Sequence, residues 1–173
     1  AEGLGWAEKV LELHEGEIHH MLADLNLPLY ITTNFDSFMY QTLKHKGRDP
    51  RRVGPRWEQI KVGTPQFTLQ PEPNTESPVV FHINGYDEDE EQHRNLVLSE
   101  DDYFTQFVRM SRDHDYVLPM NVVRALGESS FLFLGYDINS FDFRLILQGI
   151  LKGINRPAKL NVGVQLEEDP DLD

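Results

Sequence analysis

The segment LPLYITTNFDSFMYQTLKHKG, residues 27–47, decides the fold class. Its first seven residues form a compact apolar run rich in β-branched and aromatic side chains, which predicts a buried strand. A short polar turn follows, and apolar residues then recur at helical spacing from Phe38 to Leu43 until Gly47 ends the pattern. The order of strand, polar turn and helix is the repeating unit of a parallel α/β sheet.

Two further apolar runs are followed by polar turns in the same way. PVVFHI ends in Asn84 and Gly85, and SSFLFLG leads into a turn over 136–140 with a helical pattern behind it. Because each run is apolar throughout, we expect strands that are covered on both faces. We also expect the strands ending near Thr33, Ile83 and Gly135 to be parallel neighbours in one sheet.

The remaining elements follow from shorter patterns. Ser99 and Asp102 have the spacing of a capping box, which predicts a helix directly after a short apolar strand at 96–98. The further predicted elements are one broken helix or two short helices over 6–25, a surface excursion over 48–78 with a short strand near 60–62, a helix over 119–126 and a last strand over 159–165.

Length and composition are those of one folded domain. The 173 residues include 39% apolar and 26% charged side chains, so the chain has enough apolar surface for one core. We interpret residues 1–173 as a single domain excised from a longer polypeptide, because the chain starts without methionine and stops in an acidic tail. The absence of cysteine excludes disulfides and thiolate metal sites, and it favours a cytoplasmic location.

Charge and hydropathy argue against two classes of partner. Acidic residues outnumber basic ones by 29 to 16, and a net charge of −13 opposes binding to the phosphate backbone of nucleic acid. No apolar run has the roughly 18 residues that a membrane-spanning helix needs. We therefore expect neither nucleic acid nor membrane as a partner.

The candidate site lies in the turns Thr32 to Asp36, His82 to Gly85 and Gly135 to Ser140. Ligands of open parallel sheets bind beyond the carboxyl ends of the strands, where exposed amides and short polar side chains favour phosphate and ribose hydroxyls. Each turn also has a purely structural interpretation. Asp36 or Ser37 can cap a helix, His82 can be a hydrogen-bonded core histidine, and Gly135 can serve a tight turn.

Taken together, the three turns resemble a known family. TTNFD, VVFHINGY followed by LVLSEDDYFTQF, and FLFLGYDINSFDFRLIL are similar, in the same order, to the core motifs of bacterial sirtuin-like domains. Such domains occur in large multidomain proteins, several of them linked to defence against phage. The resemblance covers residues 27–165 and implies a Rossmann-like fold, NAD as the substrate, and cleavage of the bond between nicotinamide and ribose.

The resemblance also implies roles for individual residues. Asn34 matches the family's asparagine beside the nicotinamide ribose, where its amide can hold a water or a hydroxyl. Asp36 belongs to the same motif, where it binds a ribose hydroxyl or caps the helix. His82 is the candidate base, since a histidine near its ordinary pKa can accept a proton. The residues expected to contact the cofactor are Thr32, Thr33, Asp36, Asn84, Gly85, Gly135, Tyr136 and Asp137.

Three departures from the family pattern limit these roles. In sirtuins the histidine directly precedes the glycine, whereas Asn84 stands there in this chain and His82 stands two residues earlier on the same side of the strand. No glycine-rich phosphate turn opens the fold, so we expect the first strand-loop-helix unit to be missing. The chain also lacks the cysteines of a zinc module, so we expect no metal and no peptide deacylation.

Two functions from different classes remain. The first is an NAD glycohydrolase module, active in the intact parent protein, that releases nicotinamide and ADP-ribose. The second is a catalytically silent sirtuin-like module that binds a nucleotide or a protein. The expected partners are NAD or a related nucleotide, fused domains of the parent protein and a second copy of the chain.

Overall fold

The computed structural model describes residues 18–56, 66–86, 95–135 and 162–164, together with positions 144 and 148. The described residues form four helices and five strands. These are α1 (Ile18–Asp24), β1 (Leu29–Thr32), α2 (Phe38–His45), β2 (Arg51–Val53), β3 (Val79–His82), α3 (Glu100–Val117), α4 (Met120–Glu128), β4 (Leu132–Leu134) and β5 (Val162–Val164).

Strands β1, β3 and β2 form a parallel sheet in that order. The register pairs Thr32 of β1 with His82 of β3, so these two strands end side by side. Val53 of β2 pairs with Phe81, one residue before the end of β3. The polar turns after β1 and β3 therefore start at the same edge of the sheet.

The central strand β3 is buried along its whole length because helices cover both faces of the sheet. On one face, Val80 packs with Leu43 of α2 and Ala23 of α1. On the other face, Phe81 packs in a cluster with Met110 of α3 and residues of α4. Side chains alternate between the faces of a strand, so consecutive apolar residues fill both layers. The predicted α/β Rossmann-like class, a parallel sheet with helices on both faces, is confirmed.

The expectation that three predicted strands share one sheet was wrong for the third. Within the described ranges, β4 pairs in parallel with β5 in a separate two-stranded sheet, with Leu132 opposite Val162. Leu132 is half exposed, unlike the residues of β3. An apolar run predicts that a strand forms, but it does not specify which strand supplies the hydrogen bonds.

Two other predictions about strands fail for local reasons. Residues 96–98 are not a strand, because Leu98 is exposed and its N–H donates to the Asp102 carboxylate instead of a neighbouring strand. Strand β2 was not predicted, since RRV has only one apolar side chain and lies in a segment interpreted as a loop. The predicted strand at 60–62 and the helix before residue 18 lie outside the described residues.

Side-chain caps set the starts of the helices near the sheet. The predicted capping box is confirmed, since Asp102 N–H donates to Ser99 Oγ (3.2 Å) and Ser99 N–H donates to Asp102 Oδ2 (2.9 Å). The hydrogen bonds from the N–H groups of Leu98 and Ser99 lower the pKa of Asp102. Across the ranges placed by the structure, no helix is long and apolar enough to cross a membrane.

Candidate functional site

The turn after β1 presents one polar side chain to solvent. Thr32 Oγ1 accepts a hydrogen bond from Asn34 N–H at 3.0 Å, and Asp36 Oδ1 accepts one from Phe38 N–H at 2.9 Å. Asp36 thus caps α2, whereas Ser37 makes no side-chain cap bond. Asn34 is exposed, and its side-chain amide makes no hydrogen bond to any residue that the structure describes. Its amide group is therefore available to a ligand.

His82, the last residue of β3, is buried behind this turn. Its Nδ1 lies 2.8 Å from the Asn34 carbonyl oxygen, and Arg52 Nε–H lies 3.4 Å from its Nε2. A neutral ring with the proton on Nδ1 satisfies both contacts, since Nδ1–H donates to Asn34 and Nε2 accepts from Arg52. The His82 side chain therefore holds the backbone of Asn34 in place.

Burial controls the protonation of His82. The ring is only 1% exposed, and desolvation lowers its pKa to about 4. The Asn34 carbonyl and the Asp36 carboxylate raise the pKa, while the Arg52 charge lowers it further. His82 is consequently neutral at pH 7 and is a weaker base than an ordinary histidine.

Arg52 of β2 joins three parts of the site. Its Nη2 donates to the carbonyl oxygens of Phe35 (3.1 Å) and Asp36 (3.3 Å), and its guanidinium lies 4.3 Å from the centre of the Tyr86 ring. The rings of His82 and Tyr86 are 5.0 Å apart. Neither Arg52 nor Tyr86 was predicted from the sequence. The available signal was a pair of adjacent arginines in a strongly acidic chain.

The side-chain amide of Asn84, in contrast, is engaged in hydrogen bonds within the protein. It is 2% exposed, its Nδ2 donates to the Thr33 carbonyl oxygen (3.2 Å) and the Tyr103 hydroxyl (3.4 Å), and its Oδ1 accepts from Gln106 Nε2 (3.0 Å). Tyr103 and Gln106 belong to α3. Asn84 therefore ties this helix to the ends of β1 and β3.

Gly85 occupies a position that admits no side chain. Its φ is +80°, and an added Cβ would lie 2.6 Å from the Asn95 carbonyl oxygen. Gly135 also has a positive φ, +70°, but a Cβ there would meet nothing within 4 Å among the described atoms. The glycine after β3 is thus required by close packing as well as by its dihedral angle.

The structure gathers most of the predicted residues but not all of them. Seven lie at the adjoining ends of β1 and β3, namely Thr32, Thr33, Asn34, Asp36, His82, Asn84 and Gly85. Gly135 follows β4, which belongs to the second sheet, and Tyr136 and Asp137 lie outside the described residues. Within the described part of the chain, no group of three or more metal-ligating side chains is placed to hold a metal ion.

Comparisons with known proteins give an independent view of this chain. A family model described as a SIR2-like domain matches residues 28–171. The chain is also 27% identical over 139 residues to the protein named NAD(+) hydrolase ThsA from Cytobacillus dafuensis. That match covers 80% of this chain and 24% of the relative, so the chain spans about a quarter of the relative's length.

Proposed function

Because the chain belongs to the SIR2-like domain family, we propose that it binds NAD at the ends of β1 and β3 and hydrolyses the bond between nicotinamide and ribose. The observation that carries this proposal is Asn34, an exposed amide whose backbone is fixed by Thr32 on one side and His82 on the other. The relative named as an NAD(+) hydrolase supports the choice of reaction. The products are nicotinamide and ADP-ribose.

Asn34 performs the central task in this proposal. Breaking a glycosidic bond develops an oxocarbenium-like ribose, and the site must then present one water or hydroxyl in a defined orientation. An amide can donate and accept hydrogen bonds without adding charge beside the developing cation. The hydrogen bond from His82 to the Asn34 carbonyl oxygen keeps that amide in position.

For His82, the geometry favours positioning over proton transfer. Its pKa of about 4 makes it a poor proton acceptor at neutral pH, and its Nε2 already accepts from Arg52. Water attack on an oxocarbenium ion that has already formed needs orientation more than a strong base. The role of His82 as a base stays a prediction. Without a strong base, hydrolysis is expected to be slow, since a general base typically raises the rate by about 10² to 10⁴-fold.

Other parts of the proposal rest on the sequence. Asp36 Oδ1 already accepts a hydrogen bond at the start of α2, so a ribose hydroxyl would contact the other carboxylate oxygen. Cytoplasmic localisation, fused domains, a second copy of the chain as partner and the absence of a metal stay predictions. The further expected cofactor contacts that stay predictions are Thr32, Thr33, Asn84, Gly85, Gly135, Tyr136 and Asp137.

A catalytically silent binding module is the second candidate. The observation that favours it is Asn84, which stands where sirtuins have histidine and is buried among three hydrogen-bond partners. An amide cannot act as a general base, and this one faces no solvent. In that case the exposed Asn34 contributes to binding of a nucleotide without cleavage.

Initial-rate release of nicotinamide from NAD by the full-length protein tests the proposal. Asn34→Ala should lower the rate by at least about 100-fold, because misplaced reacting groups alone cost that much. His82→Gln keeps a donor near the Asn34 carbonyl oxygen and should lose much less activity than His82→Ala. Asn74→Ala is the control and should retain full activity, because it changes an exposed asparagine whose side chain bonds within its own loop before β3.

The thermal unfolding midpoint of each variant must also be measured, because substitution of a buried histidine can lower activity by destabilising the fold. A folded wild-type protein that binds ADP-ribose without releasing nicotinamide would establish the silent module instead. Equal losses in folded His82→Gln and His82→Ala would restore the proton-accepting role of His82.

A further inference from the structure

A cavity of about 300 Å³ lies beside β2, next to the candidate site, and shares Arg52 and Tyr86 with it. Three arginines line it, Arg51 and Arg52 of β2 and Arg56 just beyond the strand. None of the described residues that line it is acidic. The whole chain carries a net charge of −13, so this concentration of positive charge is opposite in sign to the rest of the molecule.

The guanidinium groups are held by neutral partners. Arg51 donates to the carbonyl oxygens of Gln70 (3.0 Å) and Pro71 (2.6 Å), while its Nε is buried without a hydrogen-bond partner in the described structure. Neutral carbonyl groups fix a guanidinium without cancelling its charge. Arg51 therefore keeps a full positive charge on the wall of the cavity.

The other two arginines are stacked on aromatic rings. The guanidinium of Arg56 lies 3.8 Å from the centre of the Phe67 ring, and that of Arg52 lies 4.3 Å from the Tyr86 ring. Stacking uses the face of the guanidinium plane and leaves the N–H groups at its edge. Arg56 makes no side-chain hydrogen bond or ion pair to a residue that the structure describes, so its edge donors are available.

We propose that this cavity is a binding site for the phosphate or diphosphate group of a small-molecule ligand. Arg56 supplies edge donors that match the oxygens of phosphate, Arg51 and Arg52 add fixed positive charge, and a concave surface of one charge concentrates anions. The volume is at the lower end of the usual range of roughly 300 to 1,000 Å³ for ligand pockets, which suits a diphosphate better than a whole dinucleotide.

Arg52 connects this cavity to the strand ends. It lines the cavity and also donates to His82 Nε2 and to the carbonyl oxygens of Phe35 and Asp36. An anion that binds Arg52 therefore changes the electrostatic environment of the His82 ring. This inference concerns anion binding and does not require the chain to cleave NAD.

Titration calorimetry of the full chain with inorganic pyrophosphate tests the site. Arg56→Ala should weaken binding at least about 10-fold, because it removes one charge-assisted donor set. Arg112→Ala removes one exposed positive charge from α3 and should change the affinity less than about 2-fold. Arg56 is exposed, so its substitution leaves the fold intact, and the thermal midpoint checks this.

Three results would overturn the inference. These are no pyrophosphate binding at millimolar concentration, equal weakening by Arg56→Ala and Arg112→Ala, or tighter binding of citrate than of pyrophosphate. Titrations with inorganic phosphate and with ADP-ribose identify the source of the bound group. A site for free phosphate binds inorganic phosphate more tightly, whereas a site for a nucleotide diphosphate binds ADP-ribose more tightly. As a second measurement, pyrophosphate should shift the His82 ring signals in NMR spectra of the wild type.

Discussion

Asn34 and Asn84 occupy equivalent places in the sheet and have opposite environments. Each stands two residues after the end of its strand, and the strand ends Thr32 and His82 pair in register. Yet Asn34 is exposed, whereas Asn84 is 2% exposed and makes three side-chain hydrogen bonds. The difference comes from α3, which places Tyr103 and Gln106 against the end of β3. Helix packing therefore decides which of two like residues faces solvent.

The packing around the turn after β3 can be broken most severely at Gly85. Gly85→Ala should lower the free energy of unfolding by about 3 to 4 kcal/mol, because the added Cβ meets the Asn95 backbone at 2.6 Å and the positive φ itself costs about 1 to 2 kcal/mol. Gly135→Ala is the matched control. It introduces the same kind of dihedral strain without a described neighbour within 4 Å, so a loss of about 1 to 2 kcal/mol is expected.

Urea unfolding of both variants measures the two effects. Equal losses of stability in the two variants would mean that the close approach of residue 95 to Gly85 does not constrain the turn. A difference of about 2 kcal/mol or more would confirm that the turn after β3 is fixed by its neighbours.

Much of this fold could be predicted because apolar periodicity reports burial. The helices α2, α3 and α4 and the strands β1 and β3 follow from runs of apolar residues and from the spacing of Ser99 and Asp102. Strand β2 was not predicted because it is only partly buried and two of its three residues are arginines. The pairing of β4 with β5 was not predicted because the apolar content of a strand does not specify which strand lies beside it.

The grouping of polar residues at the strand ends could be predicted, but the state of those residues could not. Polar residues at strand ends identify the place, because the carboxyl ends of parallel strands meet at one edge. The burial of His82 and the engagement of Asn84 depend on Arg52, Tyr103 and Gln106, which come from distant segments. No local pattern reports such long-range hydrogen bonds.

The contrast between the two asparagines gives the next largest effect. Asn84→Ala should lower the free energy of unfolding by about 2 to 3 kcal/mol, since it leaves the buried Gln106 amide and the Thr33 carbonyl oxygen short of a partner. Asn34→Ala should change stability by less than about 0.5 kcal/mol, because the side chain is exposed. Chemical denaturation of the pair measures the contrast, and similar losses in both variants would contradict it.

The smallest of the three effects follows from the buried histidine that links the two turns. Burial lowers the His82 pKa to about 4 in the folded state, against 6.5 for an ordinary histidine. Between these values the unfolded chain binds more protons, so stability present above pH 6.5 is lost as the pH falls toward 4. The expected loss between pH 7 and pH 5 is about 2 kcal/mol. His82→Gln keeps a donor for the Asn34 carbonyl oxygen but cannot titrate, so its unfolding free energy should vary less over this range. Parallel pH profiles of the wild type and His82→Gln would show that His82 is not the neutral ring that holds Asn34 in place.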